Sequence, residues 1–167
     1  AAEEAEGSLR DIRQSRSWRV LSLHRRLRAR LRRLGRGRAD RSAPARILVI
    51  DDDPLVGQWL TDVLAAEGHE VETAESGRAG LERIRGAAFD LVLVDLRMPE
   101  VDGIGVYQEL ERTQPRMAER VIFVSSNARE PRYQRFLTGL DDRSLSKPLD
   151  IAHVARLARR RRGAADS

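Results

Sequence analysis

Asp51, Asp52, Asp95, Ser125 and Lys147 lie far apart in the chain, yet each stands at the same kind of place. Asp51-Asp52 follows the apolar run Ile47-Leu48-Val49-Ile50. Asp95 follows Leu91-Val92-Leu93-Val94, Ser125 follows Val121-Ile122-Phe123-Val124, and Lys147 comes after Ser144-Leu145-Ser146 and before Pro148. Carboxylates, a hydroxyl and one ammonium suit a divalent cation and a phosphoryl group, because Mg2+ takes oxygen ligands, commonly one or two carboxylates plus phosphate. Without a cation, neighbouring carboxylates repel and raise one another's pKa. Each residue alone reads more plainly, as a polar strand exit, a strand-end hydroxyl or a surface lysine; the joint pattern is what points to chemistry. Asp53 reads as the N-cap of a helix beginning at Pro54. Ser126 and Asn127 follow Ser125 at the same edge.

Such placements require strands that all end on one edge of one sheet. Continuous apolar runs mark parallel strands buried on both faces, and open α/β sheets hold their sites at the carboxyl ends of strands. The spacing predicts strands at 46–50, 69–74, 90–94, 120–125 and 144–146, and helices at 54–67, 76–86, 103–113, 130–138 and about 150–162. Leu55, Val56, Trp59, Leu60, Val63 and Leu64 repeat at helical spacing, and Gly68 and Gly86 stop two helices. The alternation defines an α/β class, a doubly wound five-stranded parallel sheet with right-handed crossovers.

Charge divides the chain of 167 residues. Residues 1–46 carry 14 arginines against 5 acids, a net of +9, while the remainder nets −4. The basic character therefore belongs to an extension and is poor grounds for nucleic-acid binding by the α/β part. Cysteine is absent, which excludes disulfides and thiolate metal sites. No apolar stretch approaches the ~20 residues of a membrane span, and the first 30 residues lack the apolar core of a secretory signal, so a cytoplasmic protein is expected. The first residue is not Met, which suggests a piece of something longer.

Ile47-Leu48-Val49-Ile50-Asp51-Asp52-Asp53-Pro54, Asp95-Leu96-Arg97-Met98-Pro99 with Asp102-Gly103, Ser125 and Lys147-Pro148 together resemble the receiver domain of two-component response regulators, over roughly 46–160. The resemblance implies a flavodoxin-like sheet of receiver type and a phospho-acceptor in a phosphorelay, working with a histidine kinase or histidine phosphotransfer protein. It implies Asp95 as the acceptor, and Mg2+ held by Asp51, Asp52, Asp95 and the backbone carbonyl of Arg97. Ser125 would bond a phosphoryl oxygen, and Lys147 would pair with Asp95 and then with the phosphoryl group. The resemblance thus implies a signalling switch rather than a metabolic enzyme, one that assists its own phosphorylation and dephosphorylation. Two rivals remain: a pseudo-receiver acting as an interaction module without phosphorylation, and a metal-dependent phosphohydrolase, for which no separate acid–base or substrate cap is apparent. Receivers usually carry Tyr or Phe three positions before the lysine; here that position is Ser144. The stretch before Lys147 looks more like receivers attached to hybrid histidine kinases.

Ahead of the receiver-like stretch (46–162, with a tail at 163–167), residues 1–45 read as a disordered start, an Arg-rich amphipathic helix over about 9–34, and a linker. Val20, Leu23, Leu27, Leu31 and Leu34 share one face of that helix. Docking on a partner protein is its favoured use, ahead of a membrane surface or self-association, with nucleic acid last. Ser15-Arg16-Ser17-Trp18-Arg19-Val20 faintly resembles helical segments flanking bacterial glycosyltransferase domains. His24 lacks the companion helices of a phosphotransfer bundle, and His69 and His153 read as surface or half-buried residues.

Overall fold

A computed structural model describes residues 44–125, 130–140, 143–147 and 149–163. The expected Arg-rich helix with His24, together with Ser126, Asn127, Pro148 and 164–167, lies outside the described residues. The elements in chain order are β1 (Arg46–Ile50), α1 (Pro54–Ala66), β2 (Glu70–Ala74), α2 (Gly77–Gly86), β3 (Leu91–Asp95), α3 (Gly103–Thr113), α4 (Pro115–Ala118), β4 (Val121–Ser125), α5 (Pro131–Leu137), β5 (Ser144–Ser146) and α6 (Ile151–Gly163). Within the described residues, each of the five expected strands and the five helices expected between 54 and 162 is present within a residue or so of its predicted bounds. The short α4 was not expected. Pro115 cannot continue α3, but its fixed φ suits the first position of a new turn, and that turn buries Met117 and Ala118.

All strands are parallel and lie in the order β2-β1-β3-β4-β5. Leu48, Ile50, Val92, Val94, Val121 and Phe123 face a core shared with Ile84 of α2, Val106 and Leu110 of α3, and Tyr133 of α5. The alternate residues Ile47, Val49, Leu91, Leu93 and Ile122, equally buried, serve the opposite face, where α1 and α6 touch the sheet and each other. Burial on both faces explains why β1, β3 and β4 read as unbroken apolar runs. Beneath α3 and α5 the rings of Tyr107, Phe123 and Phe136 meet edge to face, with centroids 5.2–5.6 Å apart.

Helix starts follow local chemistry. Asp53 Oδ1 accepts from Leu55 N at 3.0 Å, Ser76 Oγ from Ala79 N at 3.2 Å, and Asp102 Oδ1 from Gly105 N at 2.9 Å. Each satisfies a backbone donor that the first helical turn leaves open.

Candidate functional site

The order of the sheet reverses between β1 and β3, since β1 connects onward to β2 on one side and β3 to β4 on the other. A crevice outside the strand ends belongs at such a point. Asp51 follows β1 there and Asp95 ends β3; both are buried, at 4% and 2% exposure. From the far edge, just after β5, Lys147 reaches back over β4. Its Nζ lies 2.6 Å from Asp51 Oδ2 and 3.2 Å from Asp95 Oδ1. The Lys147 N–H donates to the Ser125 carbonyl at 2.8 Å, which fixes where the lysine stem leaves the sheet. Ser125 itself is buried at the end of β4.

Backbone donors hold the two carboxylates in place. Asp53 N–H donates to Asp51 Oδ1 at 3.0 Å, and Arg97 N–H donates to Asp95 Oδ2 at 3.0 Å. Burial pushes the Asp51 carboxyl above the ordinary carboxylate range; Lys147 pulls it back and the charge of Asp95 pushes it up again. Gly103, at the start of α3, lies against the Asp95 backbone: a Cβ there would meet the Asp95 carbonyl oxygen at 2.6 Å and Leu96 Cα at 3.0 Å. The loop between them passes through Glu100 at φ 60°, a left-handed conformation uncommon outside glycine.

Lys147 is the chain's one lysine, against 30 arginines. A guanidinium is a planar fork that grips one carboxylate in two places, whereas an ammonium is a compact charge with three rotatable donors. The rotatable donors of an ammonium let it serve two carboxylates from different strands and still turn to a third anion.

Against the sequence expectations, Asp51, Asp95, Ser125 and Lys147 all stand at the carboxyl edge, with Asp51 and Asp95 joined through Lys147. Asp52 is half-buried beside Asp51. Among the described residues, no three His, Cys, Asp or Glu side chains close on one centre. His69 departs from expectation: it is buried, and its Nδ1 accepts from Ala45 N at 3.3 Å, at the opposite end of the sheet. Sequence reasoning also missed Glu130, Arg132 and Tyr133 beside the loop after Asp95. Their signal was Glu130-Pro131, a helix start, which does not reveal what that helix will face.

A family model, the response regulator receiver domain, matches residues 47–159. The chain belongs to that family. Within the receiver family, 74 residues are 45% identical to the transcriptional regulatory protein GlrR of Escherichia coli (strain K12), covering 44% of this chain and 17% of that one. A further match, to the sensor histidine kinase RcsC of Salmonella typhimurium, is 34% identical over 113 residues, 68% of this chain and 12% of that one. The chain thus spans a small fraction of these curated relatives. A solved receiver domain from Clostridium thermocellum aligns with a TM-score of 0.63 at 25% identity, over 73% of this chain and 97% of that one. Receivers are signalling phospho-acceptor domains that work with histidine kinases or phosphotransfer proteins and generally use Mg2+. The receiver reading suits the donor set. Two buried carboxylates with a single ammonium between them leave net negative charge, the ligands are all oxygen, and Mg2+ ordinarily needs only one or two carboxylates beside water and phosphate.

Proposed function

We propose that Asp95 of this receiver accepts a phosphoryl group from the phosphohistidine of a histidine kinase or histidine phosphotransfer protein, with Asp51, Asp52, Asp95 and the Arg97 carbonyl as the Mg2+ ligands. What carries the reading is Lys147 Nζ, within 3.2 Å of Asp95 and 2.6 Å of Asp51 in a buried crevice at the reversal of strand order. A carboxylate oxygen of Asp95 bonds to phosphorus while the phosphorus–nitrogen bond breaks and its electron pair returns to the imidazole. The product is a mixed anhydride, a covalent intermediate in the chemical sense. Charge in the transferring group spreads over its equatorial oxygens, so positioned donors and cations stabilise it. Lys147 supplies one such cation and moves from the carboxylate towards a phosphoryl oxygen. Ser125 donates its hydroxyl to another. Asp51 and Asp52 would hold Mg2+, which when bound would supply positive charge against the oxygens of the group in transit. Arg97 N–H and Asp53 N–H keep Asp95 and Asp51 in register throughout.

In this reading the phospho-acceptor unit runs over 46–162, and the Arg-rich stretch before it docks a partner. The test is incubation with Mg2+ and acetyl phosphate followed by intact mass. The expected result is a stable adduct of one phosphoryl group that is absent in Asp95→Asn and does not form when EDTA is present in the incubation. No adduct points instead to an interaction module, and rapid multiple turnover to a phosphohydrolase.

A further inference from the structure

Two ion pairs cross from the loop after Asp95 to the first turn of α5. Arg97 Nη1 lies 3.2 Å from Glu130 Oε1, and Arg132 Nη2 lies 2.7 Å from Asp102 Oδ2. Both ends of the strap are anchored. Arg97 donates its backbone N–H to the Asp95 carboxylate. Asp102 uses its other oxygen to cap α3 at Gly105 N. Glu130 occupies the N-cap position of α5 but makes no capping bond; its carboxylate turns to Arg97 instead.

Tyr133 sits inside this strap. It is buried, and the Arg132 guanidinium lies over its ring at 5.6 Å from the centroid. Its hydroxyl is pushed above the ordinary tyrosine range by burial first, then by the negative charges of Asp102 and Glu130. All four members of the two pairs act on this one side chain, the acids raising its pKa and Arg132 and Arg97 lowering it. On β5, by contrast, the exposed Ser144 offers no ring.

We propose that the Arg97–Glu130 and Arg132–Asp102 pairs, with Tyr133 between them, form a strap that transmits the state of Asp95 to α5. The inference rests on Asp95 being the acceptor. A phosphoryl dianion on Asp95 competes with Glu130 for the Arg97 guanidinium two residues along the chain. Both side chains of that pair are over 40% exposed, and exposed pairs are weak, whereas hydrogen bonds from a guanidinium to phosphate are among the strong ones. Arg97 therefore leaves Glu130. The other pair persists, because Asp102 is only 13% exposed and tied into α3. The first turn of α5 pivots about Arg132–Asp102, and Tyr133 shifts with it. Glu130 and Arg132 are positioning residues and touch no reacting atom.

The full chain has two tyrosines, Tyr107 and Tyr133. Incorporated 3-fluorotyrosine gives two fluorine resonances, assigned with Tyr107→Phe. Adding Mg2+ and beryllium fluoride to the same sample reads site loading from the bound fluoride signal, with Asp95→Asn as its control. The expected result is a bound fluoride signal together with a Tyr133 resonance displaced by more than its linewidth, Tyr107 moving less. Glu130→Gln should displace the Tyr133 resonance towards the loaded position without beryllium fluoride, shrink the further shift on loading, and keep the bound fluoride signal. Bound fluoride with an unmoved Tyr133 overturns the strap and leaves the acceptor reading intact. An undiminished loading shift in Glu130→Gln reduces Glu130 to a structural role and also overturns it. Absence of any bound fluoride signal overturns the acceptor reading and the strap with it.

Discussion

The two ends of the sheet both gather charge, and they do so in opposite ways. At the amino ends of the strands, Arg46 pairs with Glu72 at 2.9 Å and lies 3.8 Å from Glu70, and Arg83 pairs with Glu72 at 3.2 Å. The Arg46 N–H donates to Asp90 at 2.8 Å, and Arg120 donates to the Phe89 carbonyl at 2.7 Å. These side chains are between 38% and 66% exposed where they form ion pairs. At the carboxyl ends, two carboxylates at 3% and 1% side-chain exposure share one ammonium at 11%. Exposed, evenly matched charges fasten strand ends and little else. Buried acids in excess over their base destabilise the fold that holds them, which makes sense where another cation and another anion are to be bound.

The sharpest way to break the contrast is Asp95→Asn. It should abolish phosphoryl uptake, read as intact mass, while the far-ultraviolet circular dichroism stays unchanged; any amino-end variant should leave uptake intact. Next in size comes Lys147→Met, which strips two buried carboxylates of their base. Unfolding in urea should show a loss of about 3 kcal/mol at neutral pH without Mg2+, in the range for breaking a buried pair. Gly103→Ala drives a methyl group into the Asp95 backbone and should cost about 1–3 kcal/mol as overpacking does, with slower uptake by acetyl phosphate.

The pH dependence sharpens the comparison further. Asp51 has its pKa raised on folding, so the folded state binds that proton more tightly than the unfolded chain does. Its stabilising contribution is complete below the ordinary carboxylate pKa and is lost as pH rises through the folded value. Without Mg2+, the urea midpoint should therefore fall as pH climbs out of the acid range. Asp51→Asn should flatten that slope and raise the midpoint at neutral pH. The smallest expected effect is Glu72→Gln at the amino end: about 0.2–1 kcal/mol, as for other exposed pairs, shrinking in high salt. A larger loss there would erase the distinction between the two ends.

Much of the architecture was legible because burial on both sheet faces leaves an unmistakable run of β-branched and aliphatic residues, as in Leu91–Val94. Asp53 was legible as a cap because Asp before Pro at a helix start has a local cause. The α4 turn was missed because four residues carry no periodicity. His69 was misplaced because a lone imidazole gives no hint of burial until the Ala45 N–H that it meets is known. The strap escaped for the same reason: Glu130 and Arg132 are ordinary charged residues until α5 is set beside the loop after Asp95.

By itself, the order of residues determined which groups stand at strand ends, since alternating apolar runs and helix stops are local properties read within a dozen positions. Only the tertiary structure decided who meets whom. Placing β3 between β1 and β4, with β5 at the edge, brings a lysine across 96 positions of chain to Asp51. That pairing follows from sheet order and packing, and from no property of either residue alone.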